Sequence, residues 1–393
     1  MSSDISTYNF PTKIRFGPGS RYELASELTA LGIQRPLIVT DRDVVELSWF
    51  STIEAAIADI PFATFSGVWG NPVVSQVTAG VSAYQQHSAD GIVAVGGGAP
   101  MDVAKAIALM VNHPGHLFDY EDGASTRPID QPIPGIVAIP TTAGTGSEVG
   151  RSAVISDDET HAKKIVFDPQ LLPKVVLADP ELLLGLPAKI TAATGMDALT
   201  HLIEAFLAKG TNPLCDGIAL EGIYLVSQHL RDSMMFAQQQ AAGETIDQPA
   251  HLQARAGMLN ASMMGAIAFQ KGLGVTHSCA HALSTVCDTH HGLANGIMLP
   301  AAMRFNLEAE PEKFLRMARI VDPFARNGQA LIDWITELSV AIGIPTSLGA
   351  LGISNAVVGE LVSIAVNDGC HPFNPRPVTE DDFYAIYQDA LAA

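Results

Sequence analysis

Between residues 13 and 178 the chain alternates two textures. Short runs rich in β-branched and aromatic residues, at residues 13–16, 36–40, 62–65, 91–95, 135–139 and 175–178, read as strands. Between them lie stretches with apolar residues at helical spacing, at residues 21–31, 44–60, 73–87 and 102–111. Strands that alternate with helices predict a parallel sheet covered on both faces. Two further runs, 152–156 and 164–167, flank the polar turn SDDETHAK and predict a hairpin. After Leu186-Pro187 the β-branched runs nearly vanish. Residues 188–208, 216–240, 253–270 and 311–321 read as helices separated by Gly, Pro or polar breaks. The pattern predicts an α/β domain over residues 1–187 and an all-helical domain over residues 188–393. The cleft between two such domains is the expected site.

Composition narrows the function classes. Nearly half of the 393 residues are apolar, enough for a substantial core. The 22 Lys and Arg against 41 Asp and Glu leave a net charge of −19, which repels nucleic acid and anionic membranes. The best candidate for a spanning segment, residues 91–111, is interrupted by Asp102 and Lys105. The N-terminal MSSDISTYNFPTK lacks a basic-then-apolar leader pattern. The four cysteines, Cys215, Cys279, Cys287 and Cys370, form no CxxC pair and suit a reducing compartment. The expectation is a soluble, cytoplasmic protein.

Two loops carry nucleotide chemistry. The strand GIVAV runs into Gly96-Gly97-Gly98-Ala99-Pro100 and then into a helix. Glycines there let backbone approach a ligand, and a helix start offers free N–H groups to a phosphate. The strand PGIVAIP ends in Thr141-Thr142-Ala143-Gly144-Thr145-Gly146-Ser147-Glu148, which crowds hydroxyls, Thr145 among them, onto the same sheet edge. Asp41 ends the strand PLIVT. A carboxylate there accepts hydrogen bonds from adenosine ribose hydroxyls and repels a 2′-phosphate, which favours NAD over NADP.

The helical half holds a second constellation. In GMDALTHLIEA, Asp197 and His201 stand at i and i+4, on one helix face. Downstream, His277, His281, His290 and His291 fall within 15 residues of mostly small, apolar sequence. Partly buried histidines in such company need partners, and a metal satisfies several at once. Three imidazoles and a carboxylate suit Fe²⁺ or Zn²⁺.

These segments, in this order and over essentially the whole chain, resemble the iron-dependent (group III) alcohol dehydrogenase family, whose fold is similar to that of dehydroquinate synthase; the resemblance implies an α/β Rossmann-like dinucleotide-binding domain over residues 1–187 and an all-helical metal-binding domain over residues 188–393. The resemblance implies Asp197, His201, His277 and His291 as metal ligands. His281 matches the family's further histidine, close to the nicotinamide and substrate and not a ligand, with a catalytic role in proton relay or orientation. Asn71, Gly97, Gly98, Thr141, Thr142 and Lys164 match positions around the cofactor, and Asp102, expected to open the helix after the glycines, orients the loop or the nicotinamide. Two departures stand out: Ala99 replaces the usual serine after the glycines, and His290 replaces the proline before the last ligand.

The implied activity is reversible hydride transfer between NAD and a small primary alcohol, diol or hydroxy acid. The implied cofactors are NAD and Fe²⁺, with Zn²⁺ as the alternative ion, and the implied assembly is a homodimer or larger homo-oligomer. Rival readings are a dehydroquinate synthase-like lyase and a metal-free maleylacetate reductase. Few Lys or Arg surround the candidate ligands, against the first, and the intact ligand set stands against the second.

Overall fold

Runs of β-branched and apolar residues without polar alternation form strands buried on both faces, which only a covered parallel sheet accommodates. The computed structural model describes residue 10 and residues 12–392, so the stretch read for a leader lies almost wholly outside the described residues. Its strands are β1 (Lys13–Phe16), β2 (Pro36–Asp41), β3 (Ala63–Val68), β4 (Gly91–Gly96), β5 (Gly135–Pro140), β6 (Ser152–Ser156), β7 (Lys163–Phe167) and β8 (Val175–Ala178). Residue contacts divide the chain into two units. One holds residues 12–142 and 146–184; the other holds Ala143–Thr145 and residues 185–392.

In the first unit six parallel strands are ordered β1-β8-β5-β4-β2-β3. The central strands β2, β4, β5 and β8 are buried nearly throughout, while the edge strand β1 is largely exposed. The helices α1 (Leu24–Leu31), α2 (Phe50–Ala56), α3 (Val74–His87) and α4 (Gly98–Met110) connect them, and β6 pairs antiparallel with β7 as a separate hairpin. The chain leaves β2 towards β3 on one side and β4 towards β5 on the other. Beyond the ends of the adjacent β2 and β4 lies the crevice where such sheets bind nucleotides.

Two sequence expectations shift. The run 44–60 is not one helix: Leu47 is extended after a short 3₁₀ turn, and only Phe50–Ala56 is α-helical. The cause is local, since the Asp41 carboxylate takes the N–H groups of Asp43 and Val44 and holds them in a turn. Asp102 does not open α4; the helix starts at Gly98, because Gly97 and Gly98 already carry the chain out of the strand.

The second unit is built from α5 (Ala188–Leu207), α6 (Pro213–Ala241), α7 (Gln248–Ala268), α8 (Val275–Cys287), α9 (His291–Asn306), α10 (Pro311–Val321), α11 (Gln329–Ala341), α12 (Val358–Ala365) and α13 (Glu380–Ala392). Helix α5 is buried on every face from Thr191 to Leu207, and α6, α7 and α9 pack around it. Small residues set the approach. A Cβ on Gly265 of α7 would lie 3.1 Å from the His201 Cβ, and one on Gly292 of α9 would lie 2.3 Å from the Ala193 carbonyl oxygen. Between α7 and α8 the chain turns at Gly272, whose φ of 130° lies in the region that favours glycine. Among the described residues no helix is long and apolar enough to cross a membrane.

Candidate active site

Helix α5 brings three polar side chains into an apolar interior: Asp197, His201 and Glu204, spaced i, i+4 and i+7 on one face. All three are buried. His277 on the first turn of α8 and His291 at the start of α9 complete a cluster with them. The Asp197 Oδ1 lies 4.0 Å from His201 Nε2, 4.0 Å from His277 Nε2 and 3.5 Å from His291 Nε2. One carboxylate oxygen and three imidazole nitrogens therefore converge. The ligand atoms of Asp197, His201 and His277 lie within 4.8 Å of one another, and the donor set of the four residues suits Fe²⁺ or Zn²⁺. His290, by contrast, is an exposed N-cap residue of α9, and of the two adjacent histidines it is His291 that faces Asp197.

Burial and neighbouring charges shift these groups in different directions. Burial pushes His201 down to about 4, so it is a neutral donor at neutral pH. Burial would lower His277 too, but the Glu204 carboxylate outweighs it and the net shift is upward. Burial likewise opposes charge on Glu204, yet the hydrogen bond from His277 and the neighbouring N–H groups hold it below its ordinary value.

Three residues that the sequence reading did not single out support the cluster. Glu204 Oε2 accepts the His277 Nδ1–H at 2.7 Å. The Asn295 amide nitrogen, one turn after His291, donates to Asp197 Oδ1 at 2.8 Å and lies 3.2 and 3.3 Å from His291 Nε2 and His277 Nε2. Asp368 holds His281, whose Nδ1 is 2.7 Å from Asp368 Oδ2. The other Asp368 oxygen accepts from Ser278 Oγ and Cys370 N at 2.7 and 2.9 Å. Burial opposes charge on Asp368, but the His281 ring and these donors hold it well below the carboxylate range. The local signals were the i+7 spacing of Glu204 from Asp197 and the i+4 spacing of Asn295 from His291; Asp368 lies far from His281 in sequence. His281 is not among the groups around Asp197 Oδ1. Its ring stacks on His291 at 5.2 Å, while its nitrogen is directed to Asp368. His371 is engaged through the Val366 carbonyl and an edge contact with Phe383, and Phe269 packs its ring 5.1 Å from that of His201.

In the α/β unit the predicted nucleotide residues gather at the strand ends. Asp41 Oδ1 takes the Asp43 and Val44 N–H groups at 2.9 and 2.7 Å, while Oδ2 comes within 3.5 Å of the point a Gly96 Cβ would occupy. Burial raises the Asp41 carboxyl. Thr141 N donates to the Gly96 carbonyl, and a Cβ on Gly97 would lie 3.0 Å from Thr142 Oγ1, so the two loops touch through their smallest residues. Gly98 opens α4. Asp102, in the second turn, accepts from Ser147 Oγ at 2.6 Å and Val154 N at 3.1 Å and so ties α4 to the second loop.

Lys105, buried one turn on, donates to the Ser147 carbonyl and hydroxyl and to the Ser152 carbonyl at 2.7–2.8 Å. Its neighbour Glu148 is pushed up to about 7 by burial. Asn71 is exposed in the turn after β3. Lys164 is ion-paired with Glu121 at 2.7 Å. Thr145 belongs with Ala143 and Gly144 to the helical unit, where a Gly144 Cβ would meet that of Thr194 at 2.7 Å.

Comparison with known proteins gives this arrangement its context. Residues 11–180 match the family described as iron-containing alcohol dehydrogenase, and residues 191–391 match the C-terminal region of the Fe-containing alcohol dehydrogenase family. A 4-hydroxybutyrate dehydrogenase of Cupriavidus necator is 36% identical over 97% of this chain and 98% of its own length. The crystal structure of a 1,3-propanediol oxidoreductase superposes with a TM-score of 0.92 at 35% identity, covering 99% of this chain and all of that one. A sulfoacetaldehyde reductase from Bifidobacterium kashiwanohense, solved in complex with NAD⁺, superposes with a TM-score of 0.89 at 30% identity, with both chains fully covered. The chain belongs to the iron-containing alcohol dehydrogenase family.

Proposed function

We propose that this enzyme interconverts a small primary alcohol, diol or hydroxy acid and its aldehyde by hydride transfer with NAD. Asp197, His201, His277 and His291 hold its metal ion, Fe²⁺ or Zn²⁺. The convergence of three imidazole nitrogens on Asp197 Oδ1 within 3.5–4.0 Å carries this reading. When bound, the ion supplies Lewis acidity towards the substrate oxygen, and the nicotinamide supplies the hydride acceptor.

The residues do the rest. Asp41 binds the adenosine ribose and discriminates against a 2′-phosphate. The backbone at Gly97 and Gly98, the hydroxyls of Thr141, Thr142 and Thr145, and the side chains of Asn71 and Lys164 hold the rest of the cofactor. Asp102 keeps the second loop in register through Ser147. His281, oriented by Asp368, relays the alcohol proton. The apolar packing around α5 shields Asp197, His201 and His277 from water. The named substrates of the relatives, a hydroxy acid and a diol, support the substrate class, and the NAD⁺ complex of the reductase supports the cofactor. The assembly we propose is a cytoplasmic homodimer or larger homo-oligomer, read out by light scattering after size exclusion.

The test strips the protein of metal, reconstitutes it anaerobically with Fe²⁺ or Zn²⁺, and follows NADH formation with short alcohols, diols and ω-hydroxy acids. Turnover restored by one ion is expected. Metal and NAD binding without oxidation of any alcohol or reduction of any aldehyde would overturn the reading. His281→Ala is expected to lose turnover and keep its metal, and metal loss in that variant would remove the distinction between relay and ligand.

A further inference from the structure

The acid at the third position of the α5 face needs an explanation of its own. Glu204 is 2% exposed, surrounded by apolar helices, and points away from bulk water. A carboxylate in such a place is tolerated only when its oxygens are saturated with donors. The donors come from one short stretch. Oε1 accepts from Thr276 N at 2.6 Å; Oε2 accepts from Gly274 N at 2.9 Å, His277 N at 3.4 Å and His277 Nδ1 at 2.7 Å. Glu204 thus caps the N-terminus of α8 from another helix, where the N-cap residue, Gly274, has no side chain with which to do so. Gly274 also makes room, since a Cβ there would lie 2.9 Å from Glu204 Oε1.

The bond to His277 does more than cap. A neutral imidazole carries one proton, and whichever nitrogen holds it is lost as a metal donor. A carboxylate 2.7 Å from Nδ1 fixes the proton there and leaves the lone pair on Nε2, the nitrogen that faces Asp197 Oδ1. We propose that Glu204 is the positioning residue of the metal centre. It selects the donor nitrogen of His277 and locks α8 to α5, so that Asp197, His201 and His277 are presented as one rigid set. This inference rests on the four-ligand reading above. Supporting carboxylates of this kind change metal affinity by roughly 10–100-fold.

The experiment titrates Co²⁺ into the metal-free full-length protein in competition with a chromophoric chelator, for wild type, Glu204→Gln, His277→Ala and the double variant. Far-UV circular dichroism of each metal-free protein serves as the folding check. Wild type is expected to bind one Co²⁺, and Glu204→Gln to bind it about 10–100-fold more weakly. In the His277→Ala background the same substitution is expected to change affinity less than about threefold, because its route to the metal is gone. Equal affinity of wild type and Glu204→Gln would overturn the inference, as would an equal loss in both backgrounds, which would leave only helix capping. Failure of folded wild type to bind Co²⁺ would instead overturn the ligand set itself. Should Glu204→Gln not fold, nitrogen-15 histidine spectra of the zinc-loaded wild type decide. A slowly exchanging, downfield Nδ1–H on His277 is expected, and a proton on Nε2 would overturn the assignment.

Discussion

In the α/β unit the groups suited to a nucleotide stand where strands end. They are mostly backbone N–H groups and small hydroxyls, and their neighbours keep them close to one another, as Thr142 does for Gly97. In the helical unit the candidate ligands are side chains on three different helices, Asp197, His201 and His277 buried in an apolar interior, and they are held by acids and an amide. The first arrangement tolerates substitution wherever the backbone path survives. The second does not, because removing one buried partner leaves another without compensation. A binding surface made of backbone is thus distributed, and a metal cage is concentrated.

The sharpest test of that contrast is His201→Ala. Turnover is expected to fall to background with loss of bound metal, as measured by metal analysis, while NAD affinity by calorimetry stays within about twofold. A parallel loss of NAD binding would break the comparison. Next comes Gly292→Ala, which touches no ligand atom but drives a methyl group to 2.3 Å from the Ala193 carbonyl oxygen, one residue after His291. Overpacking of about 1–3 kcal/mol should lower the melting temperature of the metal-free protein by roughly 5 °C, and displacement of His291 should weaken Co²⁺ binding.

In the α/β unit the effects are smaller. Asp41→Asn keeps an oxygen for the Asp43 and Val44 N–H groups and removes the charge, so the fold should persist while the preference for NAD over NADP narrows. The expected change in the ratio of kcat/KM values is about tenfold, the size of one charge-assisted hydrogen bond.

The smallest effect concerns a structural histidine of the helical unit. Burial, and then the charge of Arg255, push His251 down to about 4. Its Nε2 accepts the Arg255 Nε–H at 3.1 Å, which a protonated ring could not do. The unfolded chain takes up the proton near pH 6.5 and the folded one only near 4, so stability is lost as pH falls across that window. Thermal melts between pH 6.5 and 4 should therefore fall less steeply for His251→Gln than for wild type. An identical slope would mean that the buried pair does not titrate as described.

Much of this protein was legible in its residues. The switch from short β-branched runs to helical periodicity near residue 187, the glycine turn after GIVAV and the i, i+4 pair in α5 are local patterns. Local periodicity alone decides which side chains share a strand or helix face. That is why strands β1 and β8 fall where the candidate runs 13–16 and 175–178 stand, and why Asp197 and His201 emerge on one side of a buried helix. The sequence does not say what a helix face will meet. That Glu204 would accept the proton of His277, 73 residues away, and Asp368 that of His281, 87 residues away, follows only from how α5, α8 and the C-terminal segment pack. The choice of His291 over His290 is of the same kind: neighbours in the chain point in different directions, and only the seating of α9 on α5 through Gly292 turns one of them towards Asp197. Hydrogen bonds and metal ligation are directional over a few ångströms, whereas a sequence pattern fixes a face only to within a helical turn. The fold could therefore be read from the chain, and the partners of its buried charges only from the packing.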